Sequence, residues 1–178
     1  MRAMRILVTG GVRSGKSTHA EDLIGGAPAT YVATGTPPDR EQDPDWAARI
    51  DAHRDRRPDA WGTLETQDLA TVIADAGDPL LVDCLGTWLT AIIDADGAWE
   101  HDSDAVHDLV LARTDEVVDA LSRCEQDVVL VTNEVGLGIV PEHRSGRLFR
   151  DLLGVVNQRV AAACDEVHLV VAGRVLRL

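Results

Sequence analysis

Five stretches of the chain are apolar with hardly a polar interruption: residues 5–9, 30–34, 79–84, 127–132 and 166–172. Each is too short for a helix of ordinary length, rich in Val, Ile and Leu, and reads as a strand buried on both faces. Between them the apolar positions recur at a period near 3.6, which predicts helices over 17–24, 46–57, 69–76, 85–93, 104–124 and 144–163. Gly25 and Gly26 end the first of these, and Gly77 the third, as glycine commonly does. A weaker strand is expected at 61–65, and 173–178 reads as the return arm of a closing hairpin. The segment 35–44 carries three prolines among acidic residues and is a loop. Strands alternating with helices predict an α/β fold, a mostly parallel sheet with helices on both faces. A length of 178 residues suits one domain spanning 1–178.

The first strand runs directly into Gly10, Gly11, Val12, Arg13, Ser14, Gly15, Lys16 and Ser17. Glycine, four residues, then Gly-Lys-Ser between a strand and a helix is the phosphate-loop pattern, and it makes the expected fold a P-loop NTPase domain. The glycines let the backbone wrap an anion and aim successive N–H groups at it, while the following helix offers the positive end of its dipole. Lys16 is placed to act on the outer phosphates and the Ser17 hydroxyl to hold Mg²⁺. Of the 17 basic residues Lys16 is the one lysine, so an ammonium stands where a compact point charge suits a phosphate.

A net charge of −13 and a pI near 4.7 argue against nucleic-acid binding, which draws on clustered Lys and Arg. A nucleotide must then be held by a local site. Cys84, Cys124 and Cys164 are odd in number and lack metal or redox spacing, so they read as small buried hydrophobes in a reducing cytoplasm. No run approaches the roughly 18 apolar residues of a membrane span, and the segment before the phosphate loop is too short for a signal peptide. A soluble cytoplasmic protein is expected.

Two further places carry candidate chemistry. Asp83 ends an apolar strand, where phosphate-loop enzymes keep the acid that holds Mg²⁺; the competing role is a cap on the next helix. His53 stands among Arg49, Arg54, Arg56 and Arg57 in an otherwise acidic chain. Guanidinium groups gathered so densely suit visiting anions, and an imidazole among them can attack phosphorus while its charge is neutralised. The neighbouring cations would keep that imidazole neutral. After the strand at 127–132, residues 132–141 bring Asn133, Glu134 and two glycines to a second loop suited to lie over a substrate. A tight turn leaving Glu134 merely exposed is the alternative there.

Taken together, Thr-Gly-Gly-Val-Arg-Ser-Gly-Lys-Ser at 9–17, Arg-Ile-Asp-Ala-His-Arg at 49–54, Leu-Val-Asp-Cys at 81–84, Val-Thr-Asn-Glu-Val-Gly-Leu-Gly-Ile-Val-Pro at 131–141 and Val-Asn-Gln-Arg at 156–159 resemble the bifunctional adenosylcobinamide kinase/adenosylcobinamide-phosphate guanylyltransferases of cobalamin biosynthesis. The resemblance covers nearly the whole chain in the same motif order. It implies phosphorylation of the aminopropanol arm of adenosylcobinamide by ATP or GTP. Transfer of GMP from GTP to that phosphate, with release of pyrophosphate, then follows. It places the guanylylated histidine on His53, and nucleotide contacts on Gly10 to Ser17, Ala33, Thr34, Gly35, Arg54, Asp55, Arg56, Arg57, Glu65 and Asp83. It also implies a homotrimer. A kinase without the guanylyl step leaves His53 and its arginines unexplained. A regulatory nucleotide switch lacks the guanine-reading Asn-Lys-x-Asp, since the nearest stretch begins Asn133-Glu134.

Overall fold

The computed structural model describes residues 3–35, 48, 51, 54 and 57–178. Seven strands form one sheet in the order β3-β2-β4-β5-β1-β6-β7. They are β1 (Arg5–Gly10), β2 (Ala29–Ala33), β3 (Trp61–Glu65), β4 (Leu80–Asp83), β5 (Val128–Val131), β6 (Glu166–Val171) and β7 (Arg174–Arg177). All neighbours run parallel except β6 and β7, which form the expected closing hairpin. The helices are α1 (Lys16–Ile24), α2 (Leu69–Ala74), α3 (Leu85–Ala95), α4 (Ser103–Arg123) and α5 (Arg144–Ala163), with a short 3₁₀ turn at Ala98–Glu100. In the segment expected as helix over 46–57, Ala48, Asp51 and Arg54 are helical; His53, Asp55, Arg56 and Arg49 lie outside the described residues, as does nearly all of the proline-bearing loop.

Alternation along the strands divides the core into two layers. Leu7, Val32, Leu80, Val82, Val128 and Leu130 face α2, α3, α4 and α5, whose buried side chains include Ile73, Trp88, Leu89, Val110, Leu121, Leu153 and Val156. Ile6, Val8, Tyr31, Leu81, Val129 and Val131 face the other way, against Ala20, Leu23 and Ile24 of α1. Burial on both faces is why these strands read as unbroken apolar runs. Helix ends follow local chemistry: Asp68 caps α2 by accepting from Thr71 N–H (3.2 Å), and Asp102 caps α4 by accepting from Asp104 N–H (3.0 Å). At the amino end of β1 the buried Arg5 donates to the carbonyls of Leu121 and Cys124, closing the end of α4, and pairs with Asp165 at 3.8 Å. Among the described residues no helix is long and apolar enough to cross a membrane.

Strand order decides which loops can meet. β4, β5 and β1 lie side by side. Their carboxyl ends, and the loops leaving them at 84, 132–143 and 11–15, therefore share one edge, where open α/β sheets bind ligands.

Candidate active site

The loop between β1 and α1 is shaped by backbone. Gly15 caps α1 with φ 96°, and Arg13 also has a positive φ of 55°, so successive N–H groups turn inward as an anion nest requires. Gly10 could not be any other residue: a Cβ there would lie 2.5 Å from the Val170 carbonyl oxygen and 2.7 Å from Ser14 Oγ. Lys16 Nζ reaches back to the Gly11 carbonyl at 3.1 Å. The hydroxyls of Thr9 and Ser14 are buried and have no hydrogen-bond partner among the described residues. A buried hydroxyl left so costs about 1–3 kcal/mol, and a phosphate seated in the loop is an acceptor that would relieve that cost.

Two neighbours hold this loop from either side. Gly173 N–H, in the β6–β7 turn, donates to the Ser14 carbonyl at 2.8 Å, and Glu134 N–H donates to the Gly10 carbonyl at 3.1 Å. The loop at 132–143 is itself tied down from α5. Thr132 Oγ1 donates to Asn157 Oδ1 (2.6 Å), Asn157 Nδ2 donates to the Asn133 carbonyl (3.1 Å), and Arg150 Nη2 donates to the Gly136 carbonyl (2.9 Å). Arg147 donates to the carbonyls of Pro141 (3.1 Å) and Glu142 (2.5 Å). Glu134 is half-buried rather than merely exposed, and its Oε1 accepts from Gly136 N–H at 2.7 Å.

Asp83 closes β4, in register with Ala33 of β2 and Val131 of β5. It does not cap α3. That role belongs to Cys84, whose N–H meets Thr87 Oγ1 at 3.3 Å and whose carbonyl accepts from the Thr34 hydroxyl at 2.7 Å. Thr34 is thereby fully buried with its side chain committed to the β4–α3 junction, also meeting Thr87 Oγ1 at 2.7 Å. Asp83 instead takes a hydrogen bond from Tyr31, and burial first, then the Asp83 charge, holds the Tyr31 hydroxyl well above its ordinary pKa and protonated. Over the Tyr31 ring lies the Arg57 guanidinium, 3.8 Å from the centroid, which also reaches Thr63 Oγ1 at 3.1 Å. Burial lowers the Arg57 pKa from its ordinary value, yet arginine remains a cation at any working pH. Arg54 pairs with Glu65 at 3.9 Å on the surface. Ala33 and Gly35 are half-buried at the same edge.

The described arginines on either side of residues 55 and 56 therefore meet partners on β2 and β3, beside the strand that carries Asp83, while His53 lies outside the described residues. Hard oxygen donors, the Ser17 hydroxyl and the Asp83 carboxylate, suit a Mg²⁺ that keeps waters and takes phosphate oxygens as further ligands. No cluster of three or more His, Cys, Asp or Glu able to hold a metal occurs among the described residues.

Sequence reasoning gave no role of their own to Tyr31, Arg150, Asn157 and the Gly173 turn, although Asn157 stands within the motif at 156–159. Two had a signal: Tyr31 is the chain's one tyrosine, two positions before a strand end, and Asn157 interrupts the buried stripe between Val156 and Val160. The others act through partners distant in sequence and left none.

Residues 6–178 match the protein family described as cobinamide kinase / cobinamide phosphate guanyltransferase. The bifunctional adenosylcobalamin biosynthesis protein CobU of Salmonella typhimurium strain LT2 is 50% identical over 180 residues, covering 96% of this chain and 97% of that protein. Its namesake from Escherichia coli strain K12 is 44% identical with the same coverage. Among solved structures, an ATPase from the type III secretion system of pathogenic bacteria matches 94% of this chain with a TM-score of 0.50 at 14% identity. The chain spans about half of that ATPase (51%), and the likeness concerns the fold alone.

Proposed function

The chain belongs to the cobinamide kinase / cobinamide phosphate guanyltransferase family, and on that premise we propose that it carries out two transfers at one strand edge. In the first, a nucleoside triphosphate phosphorylates the hydroxyl of the aminopropanol arm of adenosylcobinamide. In the second, GMP passes from GTP to His53, releasing pyrophosphate, and from His53 to the new phosphate, giving adenosylcobinamide-GDP. The observation that carries this reading is the occurrence, in one parallel sheet, of a phosphate loop after β1 that leaves buried hydroxyls unsatisfied and of a second cationic pair, Arg54 and Arg57, against β2 and β3 on the far side of β4.

Each group has work suited to it. The N–H groups of residues 10–17 and Lys16 neutralise charge as a phosphoryl or pyrophosphoryl group departs. Ser17 and Asp83 would hold Mg²⁺, which supplies charge neutralisation across phosphate oxygens. Tyr31 keeps the Asp83 carboxylate aimed and itself carries Arg57, so the acid and the cation are placed by one ring. Ala33, Thr34, Gly35, Arg54, Asp55, Arg56 and Glu65 complete the nucleotide contacts; for Thr34 these fall to the backbone, since its hydroxyl is occupied. A covalent histidine intermediate divides attack at the α-phosphorus into two easier steps. We also assign the protein to the cytoplasm and to a homotrimer, the latter measurable by light scattering.

The test is labelling. Incubated with Mg²⁺ and GTP labelled at the α-phosphorus, the protein should acquire a label that survives alkali and is lost in acid, as a phosphorus–nitrogen bond is; GTP labelled at the γ-phosphorus should leave none. Absence of the α-label removes the guanylyl half of the proposal.

A further inference from the structure

We propose that Glu134 is the general base that takes the proton from the acceptor hydroxyl in the phosphorylation step, and that Arg150 is the positioning residue that holds it there. The assignment rests on the kinase half of the proposed function. The two acceptors differ in a way that demands different help. A hydroxyl must lose a proton as its oxygen bonds the γ-phosphorus; the phosphate that accepts GMP attacks with an oxygen that is already ionised. One half of the reaction therefore needs a base and the other does not.

Carboxylates of the described residues at the strand ends and in the loops leaving them include Glu65, Asp83 and Glu134. Glu65 is paired with Arg54, and Asp83 is bonded to Tyr31 and suited to metal. Glu134 is in none of the ion pairs among the described residues; one of its oxygens takes the Gly136 N–H at 2.7 Å and fixes the carboxylate's direction. Its own N–H is bonded to the carbonyl of Gly10, the first residue of the phosphate loop, so the base is mounted on the loop that seats the phosphates. Behind it, Arg150 holds the Gly136 carbonyl at 2.9 Å, and its buried Nη1 has no hydrogen-bond partner among the described residues. The solvent side of the loop stays open, with Val135 and Leu137 exposed, which leaves an acceptor a way in. Gly136 has no slack, since a Cβ there would lie 3.0 Å from Glu134 Oε1.

In the step itself a Glu134 oxygen takes the hydroxyl proton as the acceptor oxygen forms its bond to the γ-phosphorus. The bond from that phosphorus to the β–γ bridging oxygen breaks, and its electron pair leaves with the nucleoside diphosphate.

The experiment compares three half-reactions in the full-length protein and in Glu134→Gln: phosphorylation of cobinamide by γ-labelled nucleotide, labelling of the protein by α-labelled GTP, and delivery of that label to cobinamide phosphate supplied ready-made. Glu134→Gln should lower the first by about 10²–10⁴-fold, the range general bases contribute, and leave the other two within about twofold. Arg150→Ala should lower the first about tenfold, as the loss of one charge-assisted hydrogen bond allows, and Arg150→Lys should recover part of it. An unchanged first reaction in Glu134→Gln overturns the assignment. So does an equal fall in all three, which would make the loop a support for nucleotide binding. A wild-type protein that phosphorylates no corrinoid removes the kinase reading and this assignment together, so the two failures are told apart by the wild-type control.

Discussion

The two faces of the sheet are built for different ends. One is covered by α2, α3, α4 and α5 and is a continuous layer of aliphatic side chains with Trp88 buried among them. The other carries α1 and a smaller apolar layer that includes partly polar members, Tyr31, Trp61 and Cys84. Among the described residues, groups that would touch phosphate or metal belong to the second face or to the edge above it; the first supplies them with braces, Thr87 from α3 and Arg147, Arg150 and Asn157 from α5. Stability and chemistry are thus separated by the width of one sheet, and damage to one face should spare the other.

The largest expected effect breaks the first face. Trp88 is almost wholly buried, and its indole N–H donates to the Gln67 carbonyl at 2.9 Å. Trp88→Ala should cost about 3–5 kcal/mol in urea unfolding, as truncation of a buried aromatic does. A loss below about 1 kcal/mol would mean this layer is not where stability resides.

Lys16→Ala should do the reverse. Corrinoid phosphorylation should fall by about 10²–10³-fold, the value of one electrostatic contact to transferring oxygens, while unfolding shifts by no more than about 0.5 kcal/mol, as for surface changes generally. Equal damage to both would contradict the separation.

The smallest effect lies where α1 meets the sheet. His19 Nε2 and His168 Nδ1 are 2.9 Å apart, and His168 Nε2 bonds Glu166 Oε2 at 2.7 Å. Burial, then the neighbouring His168 and Arg177, lower the His19 pKa below its ordinary 6.5, with Asp22 opposing. The unfolded chain then binds a proton near pH 6.5 that the folded chain takes only at lower pH. Stability is accordingly full above about pH 6.5 and declines as pH falls through that value toward the folded pKa. Melting temperatures at pH 7.5 and 5.5 should show the decline, and His19→Gln should reduce it; an unaltered slope would assign it to other groups.

Much of this architecture is legible in the sequence, and the reason is local. Strands buried on both faces must be apolar throughout, and helices must repeat near 3.6, so 61–65 and 144–163 agree with the structure residue for residue and the other elements that lie within the described residues to within two residues or so. The phosphate loop is legible because its glycines answer a backbone need within eight positions. Long-range pairs are a different matter. That Asp83 is bonded to Tyr31 rather than capping α3 depends on the register of β2 with β4, and that Gly173 leans on Ser14 depends on β6 lying beside β1. Nothing within a few residues of either position encodes those neighbours. Glu134 shows the same limit: the loop is recognisable, but the bond that attaches it to Gly10 belongs to strand order.

The central claim, that one strand edge runs both transfers with His53 as the carrier of GMP, is tested most directly by the products of His53→Ala. Given adenosylcobinamide, ATP, GTP and Mg²⁺, the wild-type protein should yield adenosylcobinamide-GDP by mass spectrometry. His53→Ala, with Lys16 and Asp83 untouched, should stop at adenosylcobinamide phosphate and accumulate it. Adenosylcobinamide-GDP formed by His53→Ala at the wild-type rate would contradict the claim and put the nucleophile elsewhere.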